Sequence, residues 1–447
     1  MTKDLTTGSV TKTMLLFACP MILGNLLQQC YNIADSFIVG KFSGSGALAA
    51  VGSAYSLMTF ITSVIIGLCM GSGTIFSVCF GKGDKAKLKN SAAASFIFIA
   101  AVTVIINIII FAAVDPILHI LNVPDDVYAM MRSYVVIVFG GLIFVFLYNY
   151  FAFLLRAIGN STVPLYFLGA AAVINIALDI LLVAVFDMGT GGAAIATVIA
   201  QAVSGVGLGA YVLIKEPELL PKKSELHITS ALVKEVTRHS FAACIQQSVM
   251  NFGILMIQGL VNSFGTAVMA AFAAAVKIDS FAYMPAQEFG NAFSIFISQN
   301  HGGGKHDRVK EGLSRAAVVS AAFCLFVSAL IFVLAKYLMQ IFIDPSEAEI
   351  INIGIGYLRI EGSFYIGIGV LFLLYGFYRG IEKPEMSLVL TIISLGTRVL
   401  LAYVLSPVPA IGVVGIWSAI PIGWFLADAV GILYIKKALQ SIQNKNG

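Results

Sequence analysis

The chain has 447 residues, of which 59% are hydrophobic and 11% charged, and its mean hydropathy is +0.93. A soluble domain is roughly a quarter charged, so this composition excludes an ordinary soluble protein. The formal net charge of +4 is small and gives no reason to expect a nucleic-acid partner.

Taken in chain order, residues 1–12 form a short polar leader. The first apolar run is too long for a signal peptide and lacks a small-residue cleavage site, so it is expected to stay as the first helix. Breaks at charged, Gly and Pro clusters then divide the chain into twelve segments. They are 13–40, 48–80, 91–114, 133–156, 163–186, 191–214, 238–264, 267–299, 315–341, 355–378, 385–405 and 411–435. Each is long enough to span a bilayer as a helix, and none shows the alternation of a barrel strand. The six cysteines (Cys19, Cys30, Cys69, Cys79, Cys244 and Cys324) all lie in apolar segments without metal-ligand spacing, and read as reduced packing residues.

Lys and Arg set the expected orientation. The leader, 81–90, 156–162, 215–238, 300–315, 379–384 and the C-terminus together carry 21 basic residues. The opposite set of connections carries four: Lys41, Arg132, Lys336 and Arg359. Both termini are therefore expected in the cytoplasm of a cell inner membrane protein.

The halves repeat. Gly81-Lys82-Gly83-Asp84-Lys85-Ala86-Lys87 and Gly304-Lys305-His306-Asp307-Arg308-Val309-Lys310 both read G-K-x-D-[KR]-x-K. Gln28-Gln29 echoes Gln246-Gln247, and Arg156-Ala157-Ile158 echoes Arg379-Gly380-Ile381, at offsets of 218 to 223 residues. Six helices per half give both halves one orientation. The expectation is an all-α membrane protein with two pseudo-twofold-related six-helix lobes, 1–214 and 238–447, joined by a cytoplasmic linker, 215–237. Transporters use such repeats to rock around a central site.

Ionisable residues inside spans are costly and mark function by default. Asp35 is the only acid in its apolar run, Asn175 and Asp179 share a helix face four residues apart, and Thr197 lies in the next segment. No Lys or Arg inside a first-half segment is available to neutralise the two acids, which leaves proton or cation occupancy to hold them. Carboxylate, amide and hydroxyl oxygens also suit a hard cation such as Na⁺. The alternative reading is that each acid is a packing hydrogen-bond partner or is hydrated near a helix end. In the second half, Lys277, Asp279 and Glu288 lie in segment eight, Arg398 in segment eleven and Asp428 in segment twelve. Arg398 with Asp428 is read as a candidate ion pair, and Glu288 as a secondary candidate for substrate or coupling. Pro20, Pro285 and Pro421 interrupt helices, with Pro20 the best candidate hinge. There is no P-loop, H-E-x-x-H or nucleophile elbow, so no enzyme activity, cofactor or bound metal is expected.

The stretches "PMILGNLLQQCYNIADSFIVGKF", "LLRAIGNSTVP", "NIALDILL" and "GGAAIAT" occur in that order. They resemble the multidrug and toxic compound extrusion (MATE) exporters over essentially the whole chain. The resemblance implies twelve helices in two lobes around a central cleft. It also implies export of amphipathic, often cationic small molecules by antiport against H⁺ or Na⁺. In the branch with an acidic first lobe, the positions matching its cation pocket are Asp35, Asn175, Asp179 and Thr197. Another branch uses an Asp on its tenth helix, where this chain has only Glu361. A monomer in membrane lipid is the expected state. The alternatives are a flippase for a lipid-linked precursor, against which twelve helices and an acidic first lobe argue, and an ion channel, for which no selectivity-filter segment is found.

Overall fold

The computed structural model describes residues 4–120, 123 and 125–444, and no strand occurs among them. Among the described residues ten helices are long and apolar enough to cross a membrane, and two bent helix pairs, each counted as one span, complete twelve. In chain order they are α1 (Val10–Gly44), α2 (Gly46–Lys82), α3 (Lys85–His119), the bent α4 (Asp125–Gly140 and Leu142–Ala157), α5 (Thr162–Val185) and α6 (Gly189–Lys215). The second half gives α7 (Ser230–Asn262), α8 (Thr266–Gly302), α9 (His306–Met339), the bent α10 (Ala348–Gly362 and Tyr365–Gly380), α11 (Pro384–Leu405) and α12 (Val413–Asn444).

Local chemistry explains the breaks. Gly44 sits at φ 87° and separates α1 from α2, a conformation that glycine adopts without a Cβ penalty. The α4 break of 44° falls at Gly140-Gly141 and the α10 break of 50° at Ser363-Phe364 after Gly362, where small residues let a helix kink. Pro384 opens α11 at its first position, where its missing N–H costs no hydrogen bond.

The outward faces are apolar. On α3, Ile105, Ile108 and Ile109 are exposed, and on α9 so are Val318, Phe326 and Val333, the last at 70%. Water would not tolerate such contiguous surface, whereas lipid does.

The chain forms two compact units. One runs over Leu23–Cys244; the other joins Leu5–Ile22 to the chain from Ile245 onward. This differs from contiguous lobes of 1–214 and 238–447 in two places: the first turns of α1 group with the second unit, and the first turns of α7 with the first. The stretch expected as linker, 215–237, is shorter than that. Helix α6 ends at Lys215, two short 3₁₀ turns follow at Pro217–Leu219 and Lys223–Glu225, and α7 begins at Ser230.

Within the first unit, Phe76, Phe96, Phe146 and Tyr150 make edge-on and tilted ring contacts at 5.1 to 6.2 Å between α2, α3 and α4. The Tyr150 hydroxyl donates to the Ala92 carbonyl at 2.6 Å. The second unit has a smaller aromatic box. Phe272 stacks on Trp417 at 5.3 Å, and Tyr357 meets the same indole edge-on at 4.9 Å. Helices α8 and α10 approach so closely at Gly290 and Gly376 that a Cβ on Gly290 would lie 2.8 Å from the Phe372 carbonyl oxygen. Small residues at such a crossing are what close packing without a hydrophobic driving force requires.

Candidate functional site

Asp35 lies nine residues before the end of α1, and Asp179 six residues before the end of α5. At 1.5 Å per residue these are depths of about 13 Å and 9 Å from the helix ends. Both therefore sit toward the side of the unit opposite the basic α2–α3 turn. Asp35 is 8% exposed, Asp179 fully buried and Asn175 1% exposed. The two carboxyls lie within hydrogen-bond reach of each other. Asn175, one turn before Asp179 on α5, has neither amide atom hydrogen-bonded among the described residues, and the same holds for both Asp179 oxygens and Asp35 Oδ1. Neither acid has an ion-pair partner there.

Two features of the surroundings were not anticipated from sequence. The helical hydrogen bonding changes to a π turn, Ile180–Val185, immediately after Asp179. Such single π turns recur at functional sites because they redirect side chains within a continuous helix. Two tyrosines also border the acids. Tyr31 is one turn before Asp35, and Tyr134 from α4 is 3% exposed and within reach of Thr197. Thr197 thus reaches the neighbourhood of the acids by way of Tyr134. The spacing of Tyr31 from Asp35 was readable in the sequence; that of Tyr134 was not, because only the fold of α4 brings it there.

Chemically, this is a buried set of carboxyl, amide and hydroxyl oxygens with no ion-pair partner among the described residues. It can take up a proton between the two acids, or a small hard cation among their oxygens. Two neighbouring buried carboxylates repel each other when both are charged, and a shared proton or a bound cation relieves that repulsion. Among the described residues no group of three or more His, Cys, Asp or Glu side chains is placed to hold a metal.

Glu288 and Pro20 lie elsewhere. Glu288 is half-buried on α8 in the second unit, where its carboxylate accepts from Asn291 at 3.3 Å, and Arg379 is its electrostatic partner. Arg379 in turn donates to Asn291 Oδ1 at 2.9 Å. Pro20 sits inside a continuous α1, two residues before the chain passes from one compact unit to the other. The expected Arg398–Asp428 pair does not form. Helix α12 presents Gly423 to Arg398 Cβ, and Asp428 lies five residues further, about 7 Å along the axis. The acids near Arg398 are Glu361 and Asp279. Asp279 accepts from the Tyr365 hydroxyl at 2.6 Å, which makes a second buried polar cluster in that unit.

The MatE family profile matches residues 20–181 and 240–404. The chain belongs to the MatE family. It is 31% identical over 88% of its length to a probable multidrug resistance protein, YpnP, of Bacillus subtilis, covering 87% of that protein. It is 25% identical to a probable multidrug resistance protein, NorM, of Thermotoga maritima, over 91% of this chain and 88% of that one. Among solved structures, a MOP superfamily transporter from Pyrococcus furiosus superposes with a TM-score of 0.92 at 23% identity, covering 98% of both chains. At that identity the likeness is one of fold. The two MatE matches fall one in each half. Asp35, Asn175 and Asp179 lie in the first and Glu288 in the second, whereas Thr197 lies outside both.

Proposed function

We propose that this MatE protein is a secondary active multidrug exporter that antiports amphipathic, often cationic small molecules against H⁺ or Na⁺ by alternating access. The observation that carries the reading is the buried Asp35–Asp179 carboxyl pair, beside Asn175 and without a basic partner among the described residues. Asp35, Asn175, Asp179 and Thr197 act as the ion site. Asp35 and Asp179 change their proton or cation occupancy, Asn175 supplies a neutral ligand, and Thr197 orients Tyr134 beside them. An ion bound at the pair favours one conformation and its release the other; a conformational equilibrium moves only as far as the ion's affinities for the two states differ. The names of the Bacillus and Thermotoga relatives support multidrug substrates. Glu288, next to Arg379, is assigned a secondary role on the substrate side, and Pro20 that of a hinge in α1.

The bias of 21 basic residues to four supports termini in the cytoplasm of an inner-membrane protein acting as a monomer. Reporter fusions near residues 85, 225 and 308 should all read cytoplasmic. Transport is tested with purified protein in liposomes given a pH gradient or a Na⁺ gradient in turn, with a fluorescent organic cation as cargo. Uphill movement of the cation under one of the two gradients is expected. Movement only down its own gradient would falsify the antiport reading.

A further inference from the structure

The repeated G-K-x-D-[KR]-x-K motif is not used by the ion site. In the fold each copy opens a turn between the second and third helices of its half. The turns share one backbone pattern. Gly83 and Gly304 take φ of 74° and 69°, and Asp84 N–H donates to Cys79 O at 3.0 Å as Lys305 N–H does to Asn300 O at 2.8 Å.

Both turns grip an incoming piece of chain. In the second half, Lys305 Nζ donates to the Thr6 carbonyl and hydroxyl, each at 2.8 Å. Arg308 donates to the carbonyls of Gly8 at 2.8 Å, Thr7 at 3.1 Å and Leu5 at 3.3 Å. Four consecutive leader carbonyls are thereby held. Asn300 orients the guanidinium by accepting from Arg308 Nε at 3.0 Å, and Leu5 is fully buried. In the first half the gripped piece is the connection to α7. Lys85 pairs with Glu218 at 3.0 Å, Lys87 with Glu235 at 2.8 Å and Lys89 with Glu225 at 2.9 Å. Lys89 holds the Glu225 carboxyl below its usual range.

What is gripped has a common character. Each segment leads into, or lies in, the base of a helix that begins in one compact unit and continues in the other. Helix α1 groups with the second unit through Ile22 and with the first from Leu23; α7 groups with the first unit through Cys244 and with the second from Ile245. Asp35 is on α1, beyond that passage. A helix can transmit a displacement only if its far end is fixed; a loose base would let it tilt or slide and dissipate the motion.

We propose that the two basic turns are positioning elements of transport: Lys305 and Arg308 fix the base of α1, and Lys85, Lys87 and Lys89 that of α7. Ion occupancy at Asp35 is thereby transmitted along a helix anchored in the second unit. This rests on the antiport reading of Asp35.

The full-length protein in liposomes, with a fluorescent organic cation under the driving gradient, provides the test. Hydrogen exchange and thermal unfolding are followed on the same samples. Arg308→Ala should raise amide exchange over residues 5–8 by about tenfold or more. It should leave cargo affinity within about twofold and slow gradient-driven efflux by about tenfold. Deleting residues 1–8 should slow efflux equally, and adding Arg308→Ala to the deletion should cost nothing further, since both remove one interaction. Arg308→Lys, which keeps the charge but not the fork of donors, should fall between. Arg315→Ala, on the same helix but paired with Glu311 rather than with the leader, should behave as unmodified protein. Leader release with efflux unchanged, additive losses from deletion and substitution, or unchanged exchange in Arg308→Ala would each overturn the inference while leaving the antiport reading intact. If unmodified protein shows no ion-driven efflux, the antiport reading fails and takes the inference with it. Should Arg308→Ala not fold, Arg308→Lys and the deletion carry the same comparison.

Discussion

Replacing Tyr134 by Phe removes one hydroxyl from beside the carboxyl pair and changes almost nothing else. Tyr134 is 3% exposed, its ring remains to fill the space, and its hydroxyl is the group that reaches Thr197 near Asp35 and Asp179. A single hydrogen bond contributes a net ~0.5–1.5 kcal/mol. If that contribution is specific to one ion-occupied state, ion-driven efflux should slow by about 2- to 13-fold, with cargo affinity unchanged. Tyr150→Phe is the control from the same unit. Its hydroxyl donates to the Ala92 carbonyl at 2.6 Å inside the aromatic core; that carbonyl also accepts from Ser95 Oγ at 3.1 Å, so the substitution removes one buried hydrogen bond, a net ~0.5–1.5 kcal/mol. Tyr150→Phe should therefore lower the unfolding temperature while folded molecules export at the normal rate. Efflux under the gradient and thermal unfolding of both variants separate the two effects. Unaltered efflux in Tyr134→Phe, or equal slowing in both variants, refutes the placement of Tyr134 in the ion site.

Three further predictions concern stability. Arg398→Leu removes a cation that lies near Glu361 and Asp279, both 3% exposed, and should lower the unfolding temperature; Glu361→Gln in that background should recover part of the loss. A double-mutant cycle of Arg398 with Asp428 should show coupling below about 0.5 kcal/mol, in keeping with the missing pair. Gly376→Ala would push a Cβ into the Gly290 carbonyl oxygen across the α8–α10 crossing and should cost about 1–3 kcal/mol. Gly259→Ala, with open space at its Cβ, should instead gain up to about 1 kcal/mol of helix propensity; the same sign for both substitutions contradicts the crossing.

The twelve spans were legible because a bilayer imposes length and apolarity on each of them, and the family likeness was legible in stretches around Asp35, Arg156 and Asp179. The i, i+4 spacing of Asn175 and Asp179 likewise follows from helical geometry alone. What stayed hidden depended on register in three dimensions. The α4 and α10 bends occur at Gly140-Gly141 and Ser363-Phe364, pairs no different in sequence from many tolerated ones. The π turn after Asp179 leaves no mark in "ILLVAV". Arg398 and Asp428 lie on neighbouring helices, but a one-dimensional reading cannot see the five-residue offset that separates them. The repeat motif aligns at an offset of 223 residues, yet the glycines that take the turn conformation, Gly83 and Gly304, are 221 apart. The turn is thus repeated in shape while its basic residues are displaced by two positions, and each copy grips a different segment.

The most direct test of the ion site is gradient-driven efflux by Asp35→Asn and Asp179→Asn, measured beside equilibrium binding of the same organic cation. Asparagine keeps the shape of a protonated carboxyl and cannot titrate. Neutralising a buried acid also removes a desolvation cost, so both variants should fold. Each is expected to bind cargo within about twofold of unmodified protein and to lose gradient-driven efflux by about tenfold or more. Export at the unmodified rate by both variants would mean that the two acids serve packing alone.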